Sequence, residues 1–267
     1  MKTTIENPLN WDVEEKKLKF DNVIVPNRKA LVRSDNKQVL SILSNAYKLF
    51  NNNDLKKLCR KIEKNADYRL KRFVELQGGK KVLAFLQHDR LQKINREAVR
   101  EFLVIGNSFD GSSSLFVGYN SHMVRCKNQF TDALRILESK HLKGQLHQKI
   151  DVHQILAQFY QQRTKTIKQL TNMQRISISE REISSLVRLI LGNSNKDLEM
   201  LNPQEIKLRA SIIRELDYFG KNAWGLFNGI THYTSNVINK GVHSFGNVSG
   251  ESQRINKIAM DFLISLN

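Results

Sequence analysis

Cysteine is nearly absent from this chain, with Cys59 and Cys126 the only two in 267 residues. Two thiols are too few for a disulfide scaffold or a cysteine-rich zinc site. Proline is as scarce, at three, and no serine- or glycine-rich tract occurs, which argues against long disordered linkers. There is no apolar run of the ~18 residues that a transmembrane helix needs. The opening stretch, Met1 to Pro8, lacks the apolar segment of a signal peptide. These absences predict a cytoplasmic protein of a reducing compartment, with no membrane partner. Acidic residues are also in short supply: 26 Asp and Glu face 43 Lys and Arg, a formal net charge of +17. Such an excess must lie at the surface, where it favours a polyanion such as nucleic acid.

The motifs of nucleotide and metal chemistry are missing too. No GxxxxGK[ST] loop is present, and Gly106, Gly111 and Gly118 do not form a GxGxxG, so ATP-driven work is unsupported. His141, His147 and His153 are spaced by six, which puts them on different faces of a helix, and no HExxH or Cys/His ligand spacing occurs. No metal and no cofactor are expected. Asp110, His122 and the nearby Ser108 and Ser112 have the cast of a hydrolase, but without a nucleophile elbow. The plainer reading of Asn107-Ser108-Phe109-Asp110-Gly111-Ser112 is a turn. Asp110 bonds the backbone two residues on, Gly111 supplies a positive φ, and Ser112 satisfies a freed amide. No catalytic residue is expected.

What is present falls into two textures. From about residue 23 to 130 the signals are those of strands: Lys29–Arg33 and Val39–Phe50 around a Ser34–Lys37 turn, then Arg69–Gln77 and Lys80–Gln87 joined by Gly78-Gly79. In the first strand of that Gly-Gly hairpin, alternation predicts Leu70, Val74 and Leu76 on one face and Phe73 on the other. Phe102–Asn107 and Ser114–Asn120 read as a further hairpin, and Met123–Asn128 as a last strand. A helix capped by Asn53 or Asp54 interrupts the series, with Leu55, Leu58, Cys59 and Ile62 in one apolar stripe. From about residue 131 the period becomes helical: Thr131–Lys140, Val152–Met173, a Ser179–Glu182 capping box before Ile183, an Asn202-Pro203 start, Ala223–Asn239 and Arg254–Leu266. The pattern predicts an α+β fold, a β-hairpin–helix–β-meander–helix core followed by a helical region. Residues 1–140 are the expected nucleic-acid-binding core and 141–267 a packing and oligomerisation region.

Between residues 54 and 72 eight cations outnumber three anions. One such helix face is ordinary solvation as readily as a binding surface. The strands repeat the feature, however, and the set predicted to contact DNA is Lys56, Lys57, Arg60, Lys61, Arg69, Lys71, Lys80, Lys81, Arg100, Arg125 and Lys127. Phe109, Phe116 and Tyr119 are interleaved aromatics, candidates for stacking on unpaired bases and equally candidates for the core.

Several stretches resemble the "phage/plasmid-like protein" family of domains of unknown function. They are Lys29–Asp35 with Val39-Leu40 and Tyr47, Gly78–Val82, Asn107–Ser112, Val124–Asn128 and Asn222–Thr231. Phe109 departs from the histidine the family carries there, which removes any role tied to that histidine. The resemblance implies a mobile element, a phage or plasmid. The hairpin–helix–meander–helix order is similar to the topology of the Redβ, Erf and Rad-fifty-two-type single-strand annealing proteins. That likeness implies ATP-independent binding and annealing of single-stranded DNA by a homo-oligomeric ring or filament. The rival readings are a metal-dependent nuclease with ligands converging near Asp110, and a non-enzymatic inhibitor docking on an acidic host defence protein.

Overall fold

The computed structural model describes residues 9–123, 129–139 (as main chain), 151–192, 202–238 and 250–266. Nine strands and six helices lie within them, and the fold is α+β. Strands β1 (Val13–Phe20), β2 (Val23–Arg33) and β3 (Val39–Ser44) make an antiparallel meander. Helix α1 (Asn52–Asn65) follows, and then β4 (Tyr68–Leu76), β5 (Lys81–His88), β6 (Gln92–Ile94), β7 (Glu97–Ser108), β8 (Leu115–Met123) and β9 (Gln129–Ser139). Their order is β4-β5-β7-β8-β9, with β6 paired on β7. Helices α2 (Val152–Asn172), α3 (Glu180–Leu191), α4 (Pro203–Phe219), α5 (Ala223–His232) and α6 (Glu251–Ile264) complete the chain.

The local signals that fix these elements are mostly the expected ones. Helix α1 starts at Asn51, whose side chain accepts from the amide of Asp54, two or three residues before the anticipated cap at Asn53 or Asp54. Its stripe of Leu55, Leu58, Cys59 and Ile62 is buried. Ser179 and Glu182 form the capping box of α3, and Asn202 caps α4 with Pro203 in its first turn. Gln77, Gly78 and Gly79 all take positive φ, at 52°, 68° and 92°, which suits the Gly-Gly turn between β4 and β5.

Three expectations fail. The strand region begins ten residues earlier, with β1, whose Lys16-Lys17-Leu18-Lys19 reads as polar coil in isolation. Residues 131–139 belong to strand β9, where a short helix was expected; the mixed pattern permits either, and pairing with β8 decides. The register of β4 slips between Leu70 and Arg72, so Lys71 is an extra residue and Phe73 returns to the buried face with Leu70. A bulge inverts the alternation beyond it, which a strict period of two cannot anticipate.

Packing divides the chain into two interleaved units. The first comprises Met1–Asp89, Phe102–Tyr119 and Leu134–Tyr160, and the second Arg90–Glu101, Asn120–Ala133 and Gln161–Asn267. The first core gathers Leu31, Leu55, Ile62, Tyr68, Phe73 and Phe159 among others. In it Phe159 of α2 meets Tyr68 edge-on, with ring centroids 5.4 Å apart. Five consecutive residues, Val82–Leu86, are buried, so β5 is covered on both faces.

The second core gathers residues of α3 to α6 with Ile94, Val99, Met123 and Leu170. Its tightest approach is between α4 and α5. A Cβ on Gly229 would stand 2.6 Å from the Cα of Ile212, and one on Gly225 2.4 Å from the carbonyl oxygen of Gly220. Two glycines one turn apart thus let the backbones of α4 and α5 come close.

Candidate nucleic-acid interface

The stripe that buries α1 leaves its opposite side to solvent. Lys57, Arg60, Lys61 and Lys64 are exposed there. Among the described residues the one ion pair on this face joins Lys57 to Asp54 at 3.6 Å, a loose pairing. Arg60, Lys61 and Lys64 therefore keep their charge for solvent or for an anion.

The other expected cations have different surroundings. Lys56 is half-buried and donates to the carbonyl of Leu9. Arg69 donates through Nη1 to the carbonyls of Glu63, Ala66 and Tyr68, each at 3.0 Å, and reaches Asp89 at 3.3 Å. It thus closes the C-terminal end of α1, where carbonyls lack helical partners. Lys71 is the half-buried bulge residue, and Lys80 and Lys81 are half-buried at the start of β5. Arg100 is exposed on β7, in the second unit. Arg125 and Lys127 lie outside the described residues, as does the expected strand Met123–Asn128 beyond Met123, which is the last residue of β8.

The stacking candidates are corrected by burial. Phe109 and Tyr119 are fully buried and Phe116 is 2% exposed. Phe109 packs edge-on against Trp11 at 6.0 Å, and Tyr119 leans on Phe159 at 6.1 Å. Phe116 fills the space over Gly106, where any Cβ would overlap its ring. No base can reach such faces. Phe116 and Tyr119 lie on β8, which is buried along its whole length, and Phe109 is buried in the turn before it, a condition that the residues themselves do not announce.

The polar string around Asp110 is a turn. The Asp110 carboxylate accepts from the amide of Ser112 at 2.9 Å, and Gly111 has φ 73°. The hydroxyl that satisfies a freed amide belongs to Ser108, which accepts from Ser113 at 3.1 Å, and not to Ser112. Among the described residues no three His, Cys, Asp or Glu side chains converge in the manner of a metal site. No described helix is long and apolar enough to cross a membrane.

Two charged assemblies escape a reading of the sequence. In the first unit Arg33, 8% exposed, places its guanidinium carbon over the Trp11 ring, 3.9 Å from its centroid. It bonds both oxygens of Asp35, at 3.0 and 2.7 Å, and Glu75 at 2.8 Å, while Glu75 also accepts from the Trp11 indole at 2.8 Å. These hydrogen bonds push the guanidinium pKa further up and hold the Asp35 carboxyl down at about 2. In the second unit Arg163 grips Oε2 of the fully buried Glu101 through two nitrogens, at 2.9 and 2.7 Å. Arg33–Asp35 is local, but the Arg33–Glu75 and Arg163–Glu101 pairs are long-range, and only a known topology would suggest them.

The stretch Asn222–Thr231 also finds a physical account. Asn222 caps α5 by accepting from Gly225, and every residue from Ala223 to Thr231 is buried. A family model, a domain of unknown function designated DUF932, matches residues 39–258. The chain belongs to the DUF932 family. No curated protein and no solved structure matches it. The DUF932 match takes in α1 with its basic face and the glycine-mediated packing of α4 on α5, and leaves β1 and β2 outside.

Proposed function

We propose that this DUF932 protein is an ATP-independent single-stranded DNA-binding and annealing protein of a phage or plasmid, working as a homo-oligomer. The observation that carries the reading is the outer face of α1. Four cations stand there on consecutive turns, with one weak acidic neighbour among them. In a chain of net charge +17, such a face neutralises phosphates without regard to sequence. Pairing of complementary strands then requires no covalent step. Phosphate repulsion is screened, the bases stay accessible, and repeated copies hold two strands in proximity.

Mixing fluorescent complementary oligonucleotides with the purified protein tests this, with and without ATP and Mg²⁺. Annealing should accelerate equally in all conditions, and both strands should remain intact. Strand cleavage dependent on the metal would replace this reading with the nuclease; no acceleration would remove annealing.

A further inference from the structure

We infer that the β1–β2 hairpin is a second nucleic-acid site, which holds a base against Phe20 and the adjoining phosphates in a basic groove. The inference rests on the proposed function and adds to it a site and a mode of recognition. Among the described residues Phe20 is the most exposed aromatic ring of the first unit, at 75%. It pairs across the hairpin tip with Val23, 70% exposed, over the two-residue loop of Asp21 and Asn22. Ile24, opposite Lys19, is 51% exposed. An apolar, aromatic tip open to water is unfavourable unless something covers it.

What covers it is suggested by the charges beside it. Lys17 stands directly opposite Lys29, an arrangement of like charges that weakens a sheet. Lys29 is balanced by Glu15 at 2.6 Å and Lys16 by Glu14 at 2.8 Å. Lys17, Lys19 and Arg28 have no ion pair among the described residues. Lys16, Lys17, Arg28 and Lys29 border an open groove of about 340 Å³ with one acid, Glu15, and with Ile24, Val25 and Pro26 as its apolar lining. A groove that mixes cations with apolar surface, on the same hairpin that carries an exposed ring at its tip, offers both the phosphate contacts and the stacking face that a single strand uses. The rings first expected to stack are buried; this one is not.

Anisotropy titrations of a labelled oligothymidylate separate this inference from the reading beneath it. Phe20→Ala should bind about tenfold more weakly with an unchanged salt slope, because stacking releases no counterions. Lys17→Gln with Lys19→Gln should flatten the slope by roughly 0.7 for each phosphate no longer neutralised. An oligonucleotide carrying 5-iodouracil should photocrosslink to the peptide that contains Phe20. Thermal melting should show both variants folded, as their side chains are largely exposed. If both bind as wild type while Arg60→Glu with Lys61→Glu still loses affinity, the hairpin site is wrong and the α1 reading stands. If wild type fails to bind at all, both fall. If the hairpin variants lose binding to vesicles of anionic phospholipid and keep the oligonucleotide, the tip is a lipid-surface site and the inference is overturned.

Discussion

In each unit an arginine is held against carboxylates, and the two assemblies differ in what surrounds the acid. In the first, Arg33 meets Asp35 and Glu75, whose side chains are 40% and 35% exposed, and it shares its planar face with Trp11. In the second, Arg163 meets Glu101, which has no exposure at all. Water can solvate the first pair of acids if the arginine is removed. It cannot reach the second. The same side-chain chemistry is therefore a modest latch in one unit and a structural requirement in the other.

The largest effect should come from breaking the enclosed pair. Arg163→Met leaves the Glu101 carboxylate buried without its guanidinium, and should lower stability in urea by about 3–5 kcal/mol. A loss below about 1 kcal/mol would mean that water enters or that other groups take over the arginine's part, and the contrast would collapse.

Next is the close glycine packing of the second unit. Gly229→Ala puts a methyl against the backbone of Ile212, which cannot move aside as a side chain would. A loss of about 1–3 kcal/mol should follow, visible as a lower melting temperature. Equal stability would show that α4 and α5 are not packed so closely.

The smallest effect should come from Asp35, and it depends on pH. Its carboxyl is held at about 2 by the Arg33 hydrogen bonds, below its ordinary value near 4. A depressed carboxylate contributes stability above its unfolded pKa and loses it as pH falls through the folded one. Urea midpoints of wild type and Asp35→Asn should therefore differ at pH 7, converge as pH falls from about 4 through 2, and coincide only below that. A gap undiminished at pH 2 would place the origin of the difference elsewhere.

Much of the architecture was legible because it rests on local chemistry. The stripe of α1, the Ser179 capping box, the Asn202-Pro203 start and the Gly78-Gly79 turn each follow from residues close in sequence. The errors have a common cause in the sheet. Strand β9 depends on its partner, the Lys71 bulge reverses the faces of β4, and burial on both sides removes the distinction between a core ring and a stacking ring. At the candidate interface, sequence picked out the cations of α1 but could not separate Arg60 and Lys61, which face solvent, from Arg69, which closes the helix end. Phe20 passed unnoticed because its strand did. Exposure of a lone aromatic in a basic stretch becomes informative only once the hairpin is known.

The central claim is that the outer face of α1 holds phosphate. The most direct measurement is the salt dependence of single-strand affinity for wild type and for Arg60→Glu with Lys61→Glu. The account predicts a steep log–log decline for wild type. In the variant the decline should be shallower by roughly 1.4, two phosphates at about 0.7 each, with melting unchanged. Parallel lines for the two proteins, or a wild-type slope near zero, would contradict it.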